Sequence, residues 1–205
     1  MKYDSLATDE IIKKTIAGLK ERHVETVVVE NGAAALEKIK ELIPEGASVM
    51  NGASKTLEQI GFVEYLKANE HGWNNLHSSI VAETDPAKQA LLRKQASLSD
   101  YYLGSVHAIA ETGEFIIASN TGSQLPHIVF TSANLIFVVG VQKIVPSLAD
   151  TFKRLEEYVI PLEDKHMQEL YGIGTAENKI VIFKNENPMM GRKVNLIFVK
   201  EVLGF

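Results

Sequence analysis

GSVHAIAETGEFIIASNTGSQLPHIVFTSANLIFVVGVQKIVPS, Gly104 to Ser147, holds the longest apolar runs of the 205-residue chain. It also carries its densest clusters of glycine and small polar residues, Glu111-Thr112-Gly113 and Asn120-Thr121-Gly122-Ser123. Within it Leu135 to Val139 shows no alternation with polar residues, as expected of a strand buried on both faces. Gly104–Glu111 and Glu114–Ser119 read as two strands joined at Thr112-Gly113 by a tight hairpin. Gln124–Ser132 reads as a short helix with Pro126 near its start. Polar loops beside buried strands are where sites usually form. The stretch is therefore expected to supply both core and one wall of a pocket.

On the N-terminal side, helices are expected over residues 8–23 and 33–42 and from Lys55 onward, with strands at 24–30 and 47–51. Thr8 and Ser54 are expected N-caps. Residues 70–75 read as loop. Asp85-Pro86 opens a helix running to about Ser99, since Asp caps well and Pro suits the first helical position. On the C-terminal side, Leu148 to about Tyr158 is a helix, the segment after Pro161 is weakly helical, and 179–184 and 194–202 are strands around the turn 185–192. Strands alternating with helices predict an α/β fold: three layers, helices on both faces of a mostly parallel sheet, made mixed by the mid-chain hairpin. Nothing reads as a linker or repeat, so residues 1–205 are expected to form a single domain.

Composition excludes several classes. Apolar residues at 45% and charged residues at 23% are the balance of a globular domain. The 26 acidic residues exceed the 21 basic ones, giving −5, and no Lys/Arg cluster offers the positive footprint that nucleic acid requires. No apolar run reaches the roughly 20 residues of a membrane span, and MKYDSLATDEIIKK lacks the apolar region of a signal peptide. A cytoplasmic location is expected. With no cysteine in the chain, disulfides, thiolate nucleophiles and cysteine-ligated clusters are unavailable. The six histidines show no metal-binding spacing, so no metal or other cofactor is expected on this chain.

Three segments, MNGASKTLEQIGF (Met50–Phe62), SVHAIAETGEFIIASNTGSQLPHIVF (Ser105–Phe130) and NLIFVVGVQKIVPSLADTFKRL (Asn134–Leu155), resemble the LUD-domain family, which includes lactate utilization protein C. NPMMGRKVNLIFV resembles the family's closing turn and strand more loosely. The resemblance implies the sheet shared by glucosamine-phosphate isomerases, ribose-phosphate isomerases and CoA transferases. It also implies a link to lactate or 2-hydroxy-acid oxidation beside an iron–sulfur partner subunit. Two departures separate the chain from lactate utilization protein C: the segment after Leu170 lacks that branch's glycine-proline-serine loop, and Gly122–Pro126 carries no arginine.

Asn51, Gly52, Ser54, Lys55 and Thr56 lie at a strand–loop–helix junction. They read either as turn and cap alone or as a cradle for a small anionic metabolite. Asn120, Thr121, Gly122 and Ser123 carry the same two readings, with His127 close by. Glu111 ends an apolar strand; comparison with CoA transferases makes it a candidate acyl-accepting nucleophile, and the plain alternative is an ion pair with a surface lysine. His107, four residues earlier on the same strand face, is either an acid–base partner for Glu111 or a structural histidine. The functions in contention are an anion-binding accessory protein, a stand-alone transferase or isomerase using Glu111, and an interaction module. An oligomer is compatible with each.

Overall fold

The computed structural model describes residues 3–205; Met1 and Lys2, the first residues of the stretch tested for a signal peptide, lie outside them. Ten strands and eight α-helices are formed among the described residues. In chain order they are α1 (Asp9–Glu21), β1 (Glu25–Val29), α2 (Gly32–Leu42), β2 (Ser48–Asn51), α3 (Lys55–Gln59), α4 (Phe62–Ala68) and β3 (Asn74–Asn75). Then come α5 (Leu76–Ala82), α6 (Pro86–Gln95), β4 (Tyr101–Gly104), β5 (Ala108–Ala110), β6 (Phe115–Ser119) and β7 (Asn134–Gly140). The chain closes with β8 (Ile144–Val145), α7 (Leu148–Arg154), α8 (Ile160–Tyr171), β9 (Lys179–Phe183) and β10 (Lys193–Val199).

Six strands form one sheet in the order β1-β10-β7-β4-β2-β3, and its pairings are all parallel. Its centre is β7, whose lack of alternation has a direct cause. Leu135, Phe137 and Val139 enter one apolar cluster, while Ile136 and Val138 enter the cluster on the opposite face. The second face is covered by α2, α3 and α4 through Ala35, Ile39, Leu57, Phe62 and Leu66. The first is covered by Ile12 and Leu19 of α1 and by a second sheet, β8-β5-β6-β9. Phe115 links the two sheets, stacked on Phe183 at 4.5 Å and edge-on to Phe137 at 5.7 Å. The α/β class with helices on both sides is thus as expected.

The hairpin departs from expectation in its location. It does not join the main sheet but builds the second one, because the expected strand Gly104–Glu111 breaks after Gly104. Residues 105–107 then carry the chain from one sheet to the other. The last two strands are likewise split, β9 pairing with β6 and β10 with β7 and β1. Asn74–Asn75, read as loop, pairs briefly with β2, and α5 follows it directly. These short elements carry too few residues for periodicity to register.

The hairpin seats on α1 at a close approach. Gly113 has φ +97°, and a Cβ there would lie 2.6 Å from the backbone of Gly18; one on Gly18 would lie 2.7 Å from the carbonyl carbon of Thr112. Lys14 and Arg22, one turn to either side of Gly18, pair with Glu111 (2.7 Å) and Glu114. Helix propensity alone predicts that Gly18→Ala stabilises by about 1 kcal/mol. The contact predicts the opposite, a loss of about 1–3 kcal/mol from backbone overpacking, read from urea unfolding.

Candidate functional site

The topology places a switch point at the carboxyl edge of the main sheet. The chain leaves β2 through α3 and α4 towards β3 on one side, packing on one face. It leaves β4 through the second sheet towards β7 on the other side, packing on the other face. Adjacent strands whose connections diverge in this way leave a gap beyond their carboxyl ends, where open α/β sheets bind ligands.

Three side chains meet in that gap. Lys143, in the turn Val141–Lys143 after β7, is buried, and its Nζ donates to Thr56 Oγ1 at 3.2 Å and to Ser105 Oγ at 3.1 Å. Thr56 stands in the first turn of α3 and Ser105 directly after β4. The Ser105 hydroxyl donates to the carbonyl of Val138 at 2.7 Å, which leaves its lone pairs for the amine. Burial and the nearby charge of Arg154 push the Lys143 amine down to about 7, and no carboxylate offsets either effect. Gly204 closes the group from above with φ +64°; a Cβ there would reach within 3.0 Å of Lys143 Nζ.

Arg154, at the end of α7, is fully buried. Its Nη1 donates to the carbonyl of His107, and its guanidinium carbon lies 5.2 Å from the Tyr158 ring centroid. Nε and Nη2 have no hydrogen-bond partner among the described residues. Desolvation lowers this guanidinium to about 10. Asn51 Oδ1, at the end of β2, and Gln142 Oε1, beside Lys143, are also buried and unpartnered among the described residues. Buried polar atoms without partners are rare, and four at one sheet edge and its flank mark unused binding capacity.

The sequence-expected residues fall in several places. Ser54 caps α3 by accepting from the Leu57 N–H at 3.3 Å, and Lys55 pairs with Glu58 at 3.1 Å. Gly52 lies against the Tyr102 hydroxyl, which donates to Gln124 Oε1 at 3.1 Å. Through Tyr102 the Asn51–Thr56 loop thus reaches the end of the Asn120–Ser123 loop. That second loop is tied to the segment after α8: Asn120 Oδ1 accepts from Asn178 at 2.8 Å and its carbonyl accepts from Lys179 at 3.3 Å. Thr121 and Ser123 bond to each other, and the Gly122 N–H donates to Ser119 Oγ.

His127 is buried, stacked on Tyr102 at 4.6 Å, with Nδ1 at 3.1 Å from both Ser99 Oγ and Ser132 Oγ. His107 is half-buried, and its Nδ1 accepts the Ala118 N–H at 3.1 Å. Glu111 instead pairs with Lys14 and lines a small cavity of about 200 Å³ with Gln142, Ile144 and Tyr3. His107 and Glu111 therefore have separate partners. A larger groove of about 670 Å³ lies at the amino ends of β1 and β10, lined by Lys20, His23 and Arg192, away from the carboxyl-edge crevice. Lys143, Ser105 and Arg154 escaped the sequence reading. For Arg154 a signal exists: Thr151, Arg154 and Leu155 share the buried stripe of their helix.

Burial holds both histidines neutral, pushing His107 down to about 3, with Lys143 and Arg154 adding to the effect, and His127 to about 4. Their unfolded forms titrate near 6.5. The unfolded chain thus binds more protons between those values, and stability falls as pH drops from about 6.5 towards 3–4. His127→Phe should lose about 2–3 kcal/mol less than the wild type between pH 7 and pH 4, measured by urea unfolding at each pH.

Residues 12–179 match the family model of the LUD domain. A crystal structure of a DUF162 family protein from Deinococcus radiodurans superimposes with a TM-score of 0.57 at 10% identity, covering 95% of this chain and 99% of that one. At that identity the likeness concerns the fold. Comparison with curated proteins gives no match.

Proposed function

This chain belongs to the LUD domain family, and we propose that its carboxyl-edge crevice binds a small carboxylate metabolite in lactate or related 2-hydroxy-acid utilisation. The observation that carries the reading is Lys143: a buried amine held by Thr56 and Ser105, with no carboxylate beside it and the unpaired edge of Arg154 adding positive potential. Low-dielectric surroundings strengthen the attraction of the Arg154 guanidinium for an anion. The role is accessory and cytoplasmic, with electrons carried on an iron–sulfur partner subunit, in keeping with a chain that has no cysteine ligands of its own.

Thermal-shift measurements against lactate, pyruvate, acyl-CoAs and sugar phosphates test the reading. A carboxylate-selective rise in Tm that is lost in Gly204→Ala and at least tenfold weaker in Ser105→Ala is the expected result; a tenfold loss corresponds to about 1.4 kcal/mol. Equal silence from every ligand would remove the proposal.

A second reading, a CoA transferase-like or isomerase-like enzyme using Glu111, is favoured by the cavity that Glu111 shares with Gln142. It requires Glu111→Gln to abolish turnover, on the order of a thousandfold, with ligand affinity retained. Unchanged turnover in that variant would exclude it.

A further inference from the structure

A neutral amine has two hydrogens and one lone pair. In Lys143 both hydrogens have acceptors, Thr56 Oγ1 at 3.2 Å and Ser105 Oγ at 3.1 Å, so the lone pair is the group left to react. No carboxylate stabilises the charged form, whereas Arg154 opposes it. A lysine desolvated beside a second cation is the environment in which amines become nucleophiles. Ser105 has committed its hydrogen to the Val138 carbonyl, so it orients the amine. Thr56 is the hydroxyl free to pass a proton.

Arg154 supplies the second group. Nη1 is committed to the His107 carbonyl, while Nε and Nη2 are unpartnered among the described residues. Those two nitrogens form the side-on fork that matches a carboxylate. His107, whose carbonyl Arg154 holds, follows Ser105 by two residues, so one short segment joins the fork to the amine. A carbonyl for the amine and a carboxylate for the fork specify one ligand class.

We propose that Lys143 forms an imine with a small 2-oxo acid whose carboxylate is taken by Arg154. The inference rests on the carboxylate-binding reading of this crevice and names its ligand. The lone pair of Lys143 attacks the ketone carbon, forming the C–N bond as the C=O π pair moves to oxygen, and Thr56 relays one proton from the nitrogen to that oxygen to give the carbinolamine. The second nitrogen proton passes to the hydroxyl by the same route, the C–O bond breaks as the C=N bond forms, and one water leaves. No oxidant or second reactant is required. Leu203 and Gly204 cover the amine: the Gly204 N–H is held by Gln59 Oε1 at 2.6 Å, and the Leu203 carbonyl accepts from Gln142 at 2.7 Å.

The full chain is incubated at pH 7 with pyruvate, or with lactate as the control lacking a ketone, reduced with borohydride, digested and weighed. The expected product is a gain of the acid's mass less one oxygen on the peptide carrying Lys143. It should form on the order of tenfold faster than on exposed lysines, whose amines are almost wholly protonated at that pH. Lactate should give none, and Lys143→Met should abolish it. Adduct spread over surface lysines in proportion to exposure overturns the proposal. If pyruvate and lactate raise Tm alike and no adduct forms on Lys143, the imine is overturned and the anion site stands. If neither acid shifts Tm and no adduct forms, both fall. The peptide map is read on the wild-type protein, so the outcome does not depend on any variant folding.

Discussion

The amine of Lys143 is buried at the point where two chain connections leave the sheet in opposite directions. Burying a cation without a counter-charge is costly, which lowers the hold of the group on its proton. Everything around it follows from that constraint. Thr56 and Ser105 supply acceptors from the first turn of α3 and the end of β4, Gly204 gives up a side chain to let the backbone pass close, and Arg154 holds the segment between the two sheets. The arrangement depends on the divergence of connections, since helices on a single face would leave no gap between β2 and β4.

The same economy of small residues governs the far side of the molecule. Gly18 and Gly113 let α1 and the hairpin touch backbone to backbone, and the flanking pairs Lys14–Glu111 and Arg22–Glu114 fix their register. Glu111 is thereby placed by α1 as much as by its own strand. Its carboxylate faces Lys14 of α1, while the buried basic groups gather around residues 105–107. Whichever chemistry the family performs here, the two sets of charges occupy different settings.

Much of the architecture was legible in the residues. The unbroken apolar run of β7 announced a strand buried on both faces, and Thr8, Ser54 and Asp85 announced their helices because capping is a local interaction. The break after Gly104 was not legible, because a strand that changes sheets keeps the same alternation of apolar residues through the break. At the site, the Asn51–Thr56 junction was visible from its glycine and cap, and Thr56 proved to touch the central amine. Lys143 was hidden in plain view: GVQK reads as a polar turn, and nothing local reports that Val141, Gln142 and Lys143 are all buried by the chain's last residues some sixty positions on. Arg154 was hidden for the same reason, as one basic residue among several in a helix.

The charge of the Lys143 amine near neutral pH decides how this site works. The groups that face it are Thr56, Ser105, His107 and Arg154, of which His107 is neutral and Arg154 charged near pH 7. A carbon-13 NMR titration of lysine side chains, with the Lys143 resonance assigned by its loss in Lys143→Met, measures this directly. A midpoint at about 7, well separated from the other lysines, is the predicted result. A midpoint with the exposed lysines near 10.4 would contradict it.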